Sequence, residues 1–308
     1  MNNVRFMKLV FGAFIFMIFA VSCEKQIYPK LESAPPVLVV DAWINNKIHD
    51  QVILLTLTQP YFEETAQPPA TGADVVIENQ NGDLFNFIED SKYAGYYVWK
   101  PTNKIGIGKI NDTFKLTIKY KGQTFESSAE LKRVPPIDSI TFKKRDRTPL
   151  GGSKETVYVG QFWAKDPQGT GDAYWIRTFK NDTLFSTPSE INTAVDAGFS
   201  EGAEIDGIIF LPPIRSSINP SGNPDNPLKP FKLGDSVRVQ IHSISIEAKN
   251  FLNLLQIQTN KPGGFAELFA TPLANLPTNI RSLDVPKNKV VGFFNVAAIS
   301  ELSVITKE

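Results

Sequence analysis

Apolar and polar residues alternate along much of the first half of the chain with the two-residue period of a β-strand. The segment Thr113–Tyr120 (TFKLTIKY) shows this most clearly, because every second side chain is aromatic or aliphatic and the others are polar. Two earlier segments, Val37–Ile44 and Gln51–Thr58, are nearly continuous runs of β-forming residues, typical of strands covered on both faces. Asn81-Gly82 favours a two-residue hairpin turn. About seven strands are predicted before Val134, with the turn spacing of an immunoglobulin-like β-sandwich.

The regular alternation ends at Pro135-Pro136. Proline has no backbone N–H to donate to a sheet, and two prolines in succession favour an extended connector. We therefore place a domain boundary here, with residues 37–134 in one domain and residues 135–308 in the next. One helix is predicted in the second domain, over residues 247–258, with Ser245 as its N-cap. The predicted fold class is mostly β: an N-terminal immunoglobulin-like β-sandwich followed by a second β-rich domain with one helix.

Six prolines lie in the segment Pro212–Phe231. This content predicts a long surface loop with neither a helix nor a central strand. Loops on a rigid scaffold often carry recognition residues, so we interpret this one as a contact for a partner protein; the alternative is an inert solvent loop. The interpretation assigns the contact to the apolar residues of the loop: Ile214, Ile218, Leu228 and Phe231.

The beginning of the chain carries a targeting signal. A short positive start precedes the uncharged apolar run Leu9–Val21, which has the length of a signal-peptide core and is too short to cross a hydrocarbon layer of about 30 Å. The run ends in Ala20-Val21-Ser22-Cys23, which resembles the bacterial lipobox, where the cysteine is acylated. We predict a lipoprotein signal peptide over residues 1–22, lipid attachment at Cys23, and a polar tether over residues 23–36. The alternatives are an ordinary cleaved signal peptide and an N-terminal anchor helix.

Composition excludes several classes of protein. Cys23 is the single cysteine, so an intrachain disulfide is excluded. The chain has 32 Lys+Arg and 32 Asp+Glu, a balance that argues against a nucleic-acid partner. The two histidines, His49 and His242, offer little to a catalytic triad or a zinc site, and both are predicted on the surface. Common catalytic motifs are also missing from the sequence. We therefore predict a protein that is not an enzyme, with no catalytic residue, metal site or cofactor.

Two acidic stretches with glycines offer oxygen atoms of the kind that calcium binds. They are Asp166–Asp172 (DPQGTGD) and Gly198–Gly207, which contains Glu201, Glu204 and Asp206. Neither stretch supplies six ligands in one loop, so both are interpreted as polar turns. Whether calcium binds near Asp166 and Asp172 stays open at this point.

Aromatic and basic clusters give two further candidates. Alternation places Tyr97 and Trp99 on one face of a strand, where the rings either stack on a ligand such as a sugar or fill the core; the core interpretation is favoured. The basic cluster Lys143–Arg147 is interpreted as a solvated strand end rather than a phosphate or lipid-headgroup site.

Turn and core residues along nearly the whole chain resemble a family of Bacteroidota lipoproteins catalogued as domain of unknown function 4249. The resembling residues are Leu38-Val39-Val40-Asp41, Trp43-Ile44, Gly72-Ala73, Asn81-Gly82, Gly95-Tyr96-Tyr97, Val134-Pro135, Gly234-Asp235-Ser236-Val237, the helical segment Glu247–Gln258 and Gly292-Phe293-Phe294. The resemblance implies a cell-envelope lipoprotein, often encoded near TonB-dependent outer-membrane receptors, with no established activity.

The predicted function follows from the leader and the resemblance together. We expect a lipoprotein of the outer membrane, on its periplasmic face or the cell surface, that is a non-enzymatic accessory or binding protein beside a TonB-dependent transport receptor. Its partners would be the membrane, through the lipid anchor, and the receptor protein. The alternatives are a stand-alone carbohydrate- or peptide-binding lipoprotein and a hydrolase. An exposed aromatic cleft would favour the stand-alone binding protein, and buried aromatic residues would count against it.

Overall fold

The computed structural model describes residues 34–60, 63, 65–102, 105–148, 152–200, 203–221, 229–260, 274–284 and 289–307. The predicted signal peptide, Cys23 and nearly all of the tether lie outside these residues. The chain forms two units, of which the smaller comprises Met1–Pro35 and Gln59–Thr65. In its described part, the Gln59 side-chain amide donates to the carbonyl oxygens of Glu63 (3.0 Å) and Thr65 (2.9 Å). The larger unit, Pro36–Thr58 and Ala66–Glu308, contains the strands and helices below.

The strands of the larger unit are numbered in chain order. The first seven precede Val134, as predicted: β1 Leu38–Asn45, β2 Gln51–Leu57, β3 Asp74–Asn79, β4 Leu84–Glu89, β5 Tyr96–Trp99, β6 Thr113–Tyr120 and β7 Gln123–Glu130. The next five are β8 Ile137–Arg147, β9 Glu155–Ala164, β10 Ala173–Lys180, β11 Thr183–Leu184 and β12 Asn192–Val195. The last are β13 Ser236–Ile244, β14 Arg281–Ser282, β15 Val290–Ala297 and β16 Ile299–Ile305. The helices are α1 Pro212–Ser216 and α2 Ile246–Thr259, with 3₁₀ turns at Pro188–Glu190 and Ala203–Ile205.

One nine-stranded path, β14-β7-β6-β3-β4-β5-β2-β1-β15, surrounds the first core. Strand β4 joins its two halves, because Leu84–Phe87 pair with β3 whereas Ile88 and Glu89 pair with β5. Both halves bury their apolar residues in a single cluster, among them Ile53, Ile77 and Phe114. The predicted fold class is confirmed: the protein is mostly β, the first part is sandwich-like, and one helix among the described residues is longer than two turns.

The C-terminal part of the chain completes this first core. Strand β15 runs parallel to β1, with Leu38 opposite Val290 and Ala42 opposite Phe294. Asn279 exchanges hydrogen bonds with the backbone of Phe294 and accepts one from the Ser127 hydroxyl of β7, so the two ends of the sheet approach each other. The predicted boundary at Val134 left this segment out of the first domain. The division of the chain into two domains stays a prediction.

A second core lies under the sheet β11-β10-β13-β16, with β12 paired to β10 and the β8–β9 hairpin alongside. The segment from residue 212 to 231 contributes to this core, contrary to prediction. Pro212 and Pro213 begin the short helix α1, where a missing N–H costs nothing because the first helical N–H groups have no partner in the helix.

The apolar residues of that segment are core residues. Ile214, Ile218 and Phe231 are 2%, 0% and 0% exposed, and Phe231 stacks on Phe185 at 6.0 Å between ring centroids. Their assignment as contacts for a partner protein is therefore corrected. Leu228, the fourth residue assigned to that contact, lies outside the described residues.

Helix α2 begins where it was predicted, with the Ser245 hydroxyl accepting a hydrogen bond from the Ala248 N–H (3.1 Å). Its apolar face buries Phe251 and Leu252 in a third cluster. That cluster joins the first sheet, through Phe293 of β15, to the second sheet, through Ala173 of β10. Among the helices that the structure describes, none is both long and apolar enough to cross a membrane.

Candidate functional site

A cleft of about 930 Å³ lies beside the third cluster, at the junction of the two cores. One wall comes from β1, β2 and β15. The other comes from β10, from the segment 184–191 and from helix α2. Ligand sites for small organic molecules typically measure about 300–1,000 Å³, so the cleft has room for a ligand at the upper end of that range.

Strand alternation directs the side chains that line the cleft. In β1, Val40, Ala42 and Ile44 are buried in the first core, whereas Asp41 and Trp43 point to the opposite face. The sequence run was predicted to be covered on both faces; one face is core and the other lines the cleft. In β10 the same rule buries Tyr174 and Ile176 and places Trp175 and Arg177 along the cleft. The two strands thus each present one tryptophan and one charged residue.

Four aromatic rings form the apolar part of the cleft. The Trp43 and Trp175 rings meet edge to face with centroids 5.3 Å apart, and Trp43 stacks on Phe293 at 5.8 Å. Phe251 and Phe293 are 7% and 2% exposed, whereas both tryptophans are only half-buried. Solvent therefore reaches parts of the tryptophan rings, which are supported from behind by buried rings. Such a surface favours flat or aliphatic groups.

Asp41 and Arg177 are charged residues of the two facing strands, and Glu190 also lines the cleft. The Asp41 side chain contacts solvent, but protein atoms around it replace much of its hydration. This burial raises the pKa of its carboxyl group, and the positive charge of Arg177 lowers it in part. Burial lowers the pKa of Arg177, and the negative charge of Asp41 partly restores it. An arginine nevertheless stays protonated at neutral pH, since its ordinary pKa is so high.

The guanidinium of Arg177 has unused hydrogen-bonding capacity. Its carbon atom lies 4.7 Å from the centre of the Trp175 ring, a cation–π contact. Its Nε atom is buried and has no hydrogen-bond partner among the described residues. A buried donor without a partner is costly, so an acceptor on a ligand would stabilise it. The cleft can thus hold an apolar body on its rings and a polar or anionic group at Arg177.

Tyr97 and Trp99 lie in the core of the first sheet, which is the favoured of the two interpretations, and they do not form a ligand-stacking surface. Tyr97 is 0% exposed; its hydroxyl donates to the Ala70 carbonyl and accepts from the Ala73 N–H, both at 2.9 Å. Trp99 packs edge to face on Phe85 at 5.2 Å. The neighbouring Tyr96, which points the other way, is 42% exposed and lines the cleft.

The two histidines have different environments. His49 is exposed, as predicted, but His242 is only 7% exposed, so its predicted place on the surface was wrong. Its ring packs against Trp175 and its Nε2 lies 2.9 Å from the Gln240 side-chain oxygen. Burial, reinforced by the charges of Arg177 and Lys47, holds the pKa of His242 well below its ordinary value.

The two acidic stretches meet in space. Asp166 and Asp172 are buried, and Asp206 accepts a hydrogen bond from the Gly169 N–H at 2.9 Å. Glu204 is exposed and Glu201 lies outside the described residues. The basic cluster Lys143–Arg147 is exposed on the β8–β9 hairpin, as predicted.

The residues that line the cleft were not singled out from the sequence. One signal was present: Asp41 is a charged residue inside the apolar run VLVVDAWI, where a strand covered on both faces would have none. Trp175 and Arg177 gave no comparable signal, because a half-buried strand commonly alternates such residues with apolar ones.

The fold and the cleft define a class: a mostly β protein with an aromatic cleft of ligand size between two cores. A family model described as Domain of unknown function (DUF4249) matches residues 24–303. The match covers nearly the whole chain, and the protein belongs to this family, which confirms the resemblance noted in the turn and core residues. The comparison with curated proteins finds no match.

Proposed function

We propose that this protein is a non-enzymatic binding lipoprotein of the outer membrane that holds an organic ligand in the cleft and works beside a TonB-dependent transport receptor. The observation that carries the binding role is the accessible pair of rings, Trp43 and Trp175, next to the unpartnered Nε of Arg177. Family membership and the predicted signal peptide before Cys23 support a location in the cell envelope. A lipid on Cys23 would anchor the protein to the membrane, on the periplasmic face or the cell surface.

The ligand would combine an apolar surface with an acceptor group. Each Å² of apolar surface removed from water contributes about 25 cal/mol, so the rings supply affinity while Arg177 fixes orientation. Asp41, across the cleft, would accept hydrogen bonds from hydroxyl or amino groups of the same ligand. Carbohydrates and peptides both have this combination of groups.

A second candidate function is a stand-alone carbohydrate- or peptide-binding lipoprotein. The half-buried tryptophans favour it, because it requires an aromatic surface that solvent can reach. The two functions share the cleft and differ in whether a receptor is present. Affinity purification from the native envelope separates them, since a receptor that co-purifies supports the accessory role and its absence supports the stand-alone role.

Binding in the cleft is tested with oligosaccharides and peptides by titration calorimetry and tryptophan fluorescence. We expect Arg177→Met to weaken binding about tenfold or more, because a charge-assisted hydrogen bond is lost. Arg145→Met, at an exposed position of β8, is the matched control and is expected to bind as the wild type does. A ligand whose affinity is unchanged by both Arg177→Met and Trp43→Leu would show that the cleft is not the binding site.

The envelope location has its own test. Cys23→Ala removes the thiol that the lipid would occupy, so we expect the precursor to stay uncleaved or mislocalised and to incorporate no labelled palmitate. Partition of the cleaved Cys23→Ala protein into detergent, like the wild type, would contradict lipid attachment at this residue.

A further inference from the structure

Three buried carboxyl groups lie together in the second region, which is the part of the chain from β8 to β13 with β16. None of them lines the cleft. Asp166 follows β9, Asp172 precedes β10 and Asp196 follows β12. Their exposures are 2%, 8% and 0%, and one carboxylate oxygen from each lies within 4.8 Å of the others. Like charges at this separation repel strongly when little water screens them. The arrangement therefore requires a compensating charge.

Both carboxyl oxygens of Asp166 have hydrogen-bond donors. Its Oδ1 accepts from the Tyr174 hydroxyl (2.6 Å) and its Oδ2 from the Gly207 N–H (3.2 Å). Both oxygens of Asp166 therefore act as acceptors, as the oxygens of an ionised carboxyl group do.

Asp172 and Asp196 are acceptors as well. Asp172 Oδ2 accepts from Nε (2.8 Å) and Nη2 (2.6 Å) of Arg133. Asp196 Oδ1 accepts from the N–H groups of Gly171 (2.8 Å) and Asp172 (3.1 Å). Three carboxylates facing one guanidinium leave two negative charges without compensation.

The second oxygen of Asp196 provides an independent observation. Oδ2 is buried, in a residue that is 0% exposed, and it has no hydrogen-bond partner within the described part of the chain. A buried carboxylate oxygen without a donor is stabilised by a metal ion, which needs no acceptor beyond the oxygen.

We propose that Asp166, Asp172 and Asp196 bind a divalent cation and that calcium is the preferred ion. The two uncompensated charges equal the charge of such an ion. All three groups offer oxygen, the ligand of hard cations, and the group contains none of the nitrogen or sulfur ligands that zinc prefers. Calcium–oxygen distances of about 2.3–2.6 Å place opposite ligands roughly 4.6–5.2 Å apart, whereas magnesium limits them to about 4.2 Å. The separations here, all within 4.8 Å, are compatible with calcium.

The ion would connect segments that are distant in the sequence. Asp166 and Asp172 flank the turn between β9 and β10. Asp196 follows β12, the strand that pairs with the beginning of β10. Arg133, bound to Asp172, belongs to the connector after the first seven strands. Calcium at this point would stabilise the second region and its attachment to that connector.

The test uses the full-length protein in detergent, with calcium chloride as the probe in titration calorimetry and thermal unfolding. We expect saturable binding of one ion, a dissociation constant of about 10⁻³ M or tighter as in extracellular calcium modules, and a higher melting temperature with calcium than with a chelator. Magnesium is expected to bind about tenfold more weakly. Equal binding of both ions would overturn the preference for calcium, and no binding of either would overturn the site.

Two variants localise the ion. Asp196→Asn keeps the size of the side chain and is expected to weaken calcium binding about tenfold or more while the protein stays folded in the chelator. Asp206→Asn is the matched control, because Asp206 is a neighbouring acid outside the group, and it is expected to bind calcium like the wild type. If Asp196→Asn fails to fold, terbium luminescence excited through tyrosine in the wild type replaces it, with Tyr174 as the nearest donor. Unchanged affinity in Asp196→Asn, or terbium without sensitised emission, would contradict the proposal.

Discussion

The two cores differ in what they bury. The first region, β1–β7 with β14 and β15, buries polar side chains that carry no charge: Gln51, Thr56, Asn79, Ser127 and Asn295. The second region buries ionisable ones: Asp166, Asp172, Glu190, Asp196 and His242. This contrast holds for the residues that the structure describes. Burying a charge costs much more free energy than burying a neutral group with hydrogen bonds. The second region therefore gives up stability that the first one keeps.

The polar groups of the first region make uncharged hydrogen bonds, within a turn or across the sheet. Asn79 Oδ1 accepts hydrogen bonds from the N–H groups of Asn81 and Asp83, both at 2.9 Å, and so fixes the hairpin turn between β3 and β4. The acids of the second region instead make charged contacts, as when Asp172 binds Arg133. The comparison suggests that the first region is the more stable scaffold and that the second region carries the buried charges. Three predictions test this, in order of expected effect.

The largest effect is expected when the first region loses its C-terminal segment. A fragment of residues 37–134 lacks Ile280, Phe294 and Val296, which are 5%, 0% and 0% exposed in the first core. Each buried apolar side chain contributes about 1.5–3 kcal/mol, so their sum approaches the total stability of a domain, about 5–15 kcal/mol. We expect no cooperative unfolding transition in circular dichroism. The control is the same fragment joined to residues 274–298 by a Gly/Ser linker, which is expected to unfold cooperatively. A cooperative transition in the short fragment would show that residues 37–134 form an independent domain.

A single methyl group at Gly292 tests the contact between β15 and β1. Gly292 has φ +100°, and a Cβ there would lie 1.9 Å from the Val40 carbonyl oxygen. An alanine here would strain its own backbone and push β1 away at Val40, which together cost about 3 kcal/mol or more. Gly292→Ala is therefore expected to lower the free energy of unfolding by that amount. Gly122→Ala is the control: φ is also positive, at +75°, but no atom lies within 4 Å of its Cβ, so about 1–2 kcal/mol is expected. Equal losses in denaturant unfolding would mean that the two strands separate easily.

The smallest effect concerns His242 in the second region. Its folded-state pKa is well below the ordinary value of 6.5 because of burial and the nearby charges of Arg177 and Lys47. The stability from neutral His242 is complete above pH 6.5. Below that pH the unfolded chain takes up a proton that the folded one does not, so stability falls toward the folded-state pKa by about 1.4 kcal/mol per pH unit. Denaturant unfolding of the wild type and His242→Gln from pH 8 to 5 measures this as a difference in slope. Parallel pH profiles would show that His242 titrates alike in both states.

The sequence by itself determined the local structure. The alternation in Thr113–Tyr120 yields the observed burial of every second residue, Gly82 takes the positive φ (+85°) that its turn requires, and Ser245 caps α2. These features depend on the two-residue period of a strand, on the freedom of glycine and on one side-chain hydrogen bond. Each involves neighbours within a few positions along the chain, so the sequence contains all that decides them.

Only the tertiary structure decided which surfaces those elements share. Alternation separates the two faces of a strand, but it does not say what covers them, so His242 was placed on the surface and Tyr97 among the stacking candidates. Prolines predicted a loop over residues 212–231, whereas burial of Ile214 and Phe231 made the segment part of a core. The pairing of β1 with β15 and the meeting of Asp196 with Asp166 and Asp172 depend on the path of the whole chain. The physical reason is that apolar burial is non-directional and selects among long-range contacts that no local pattern distinguishes.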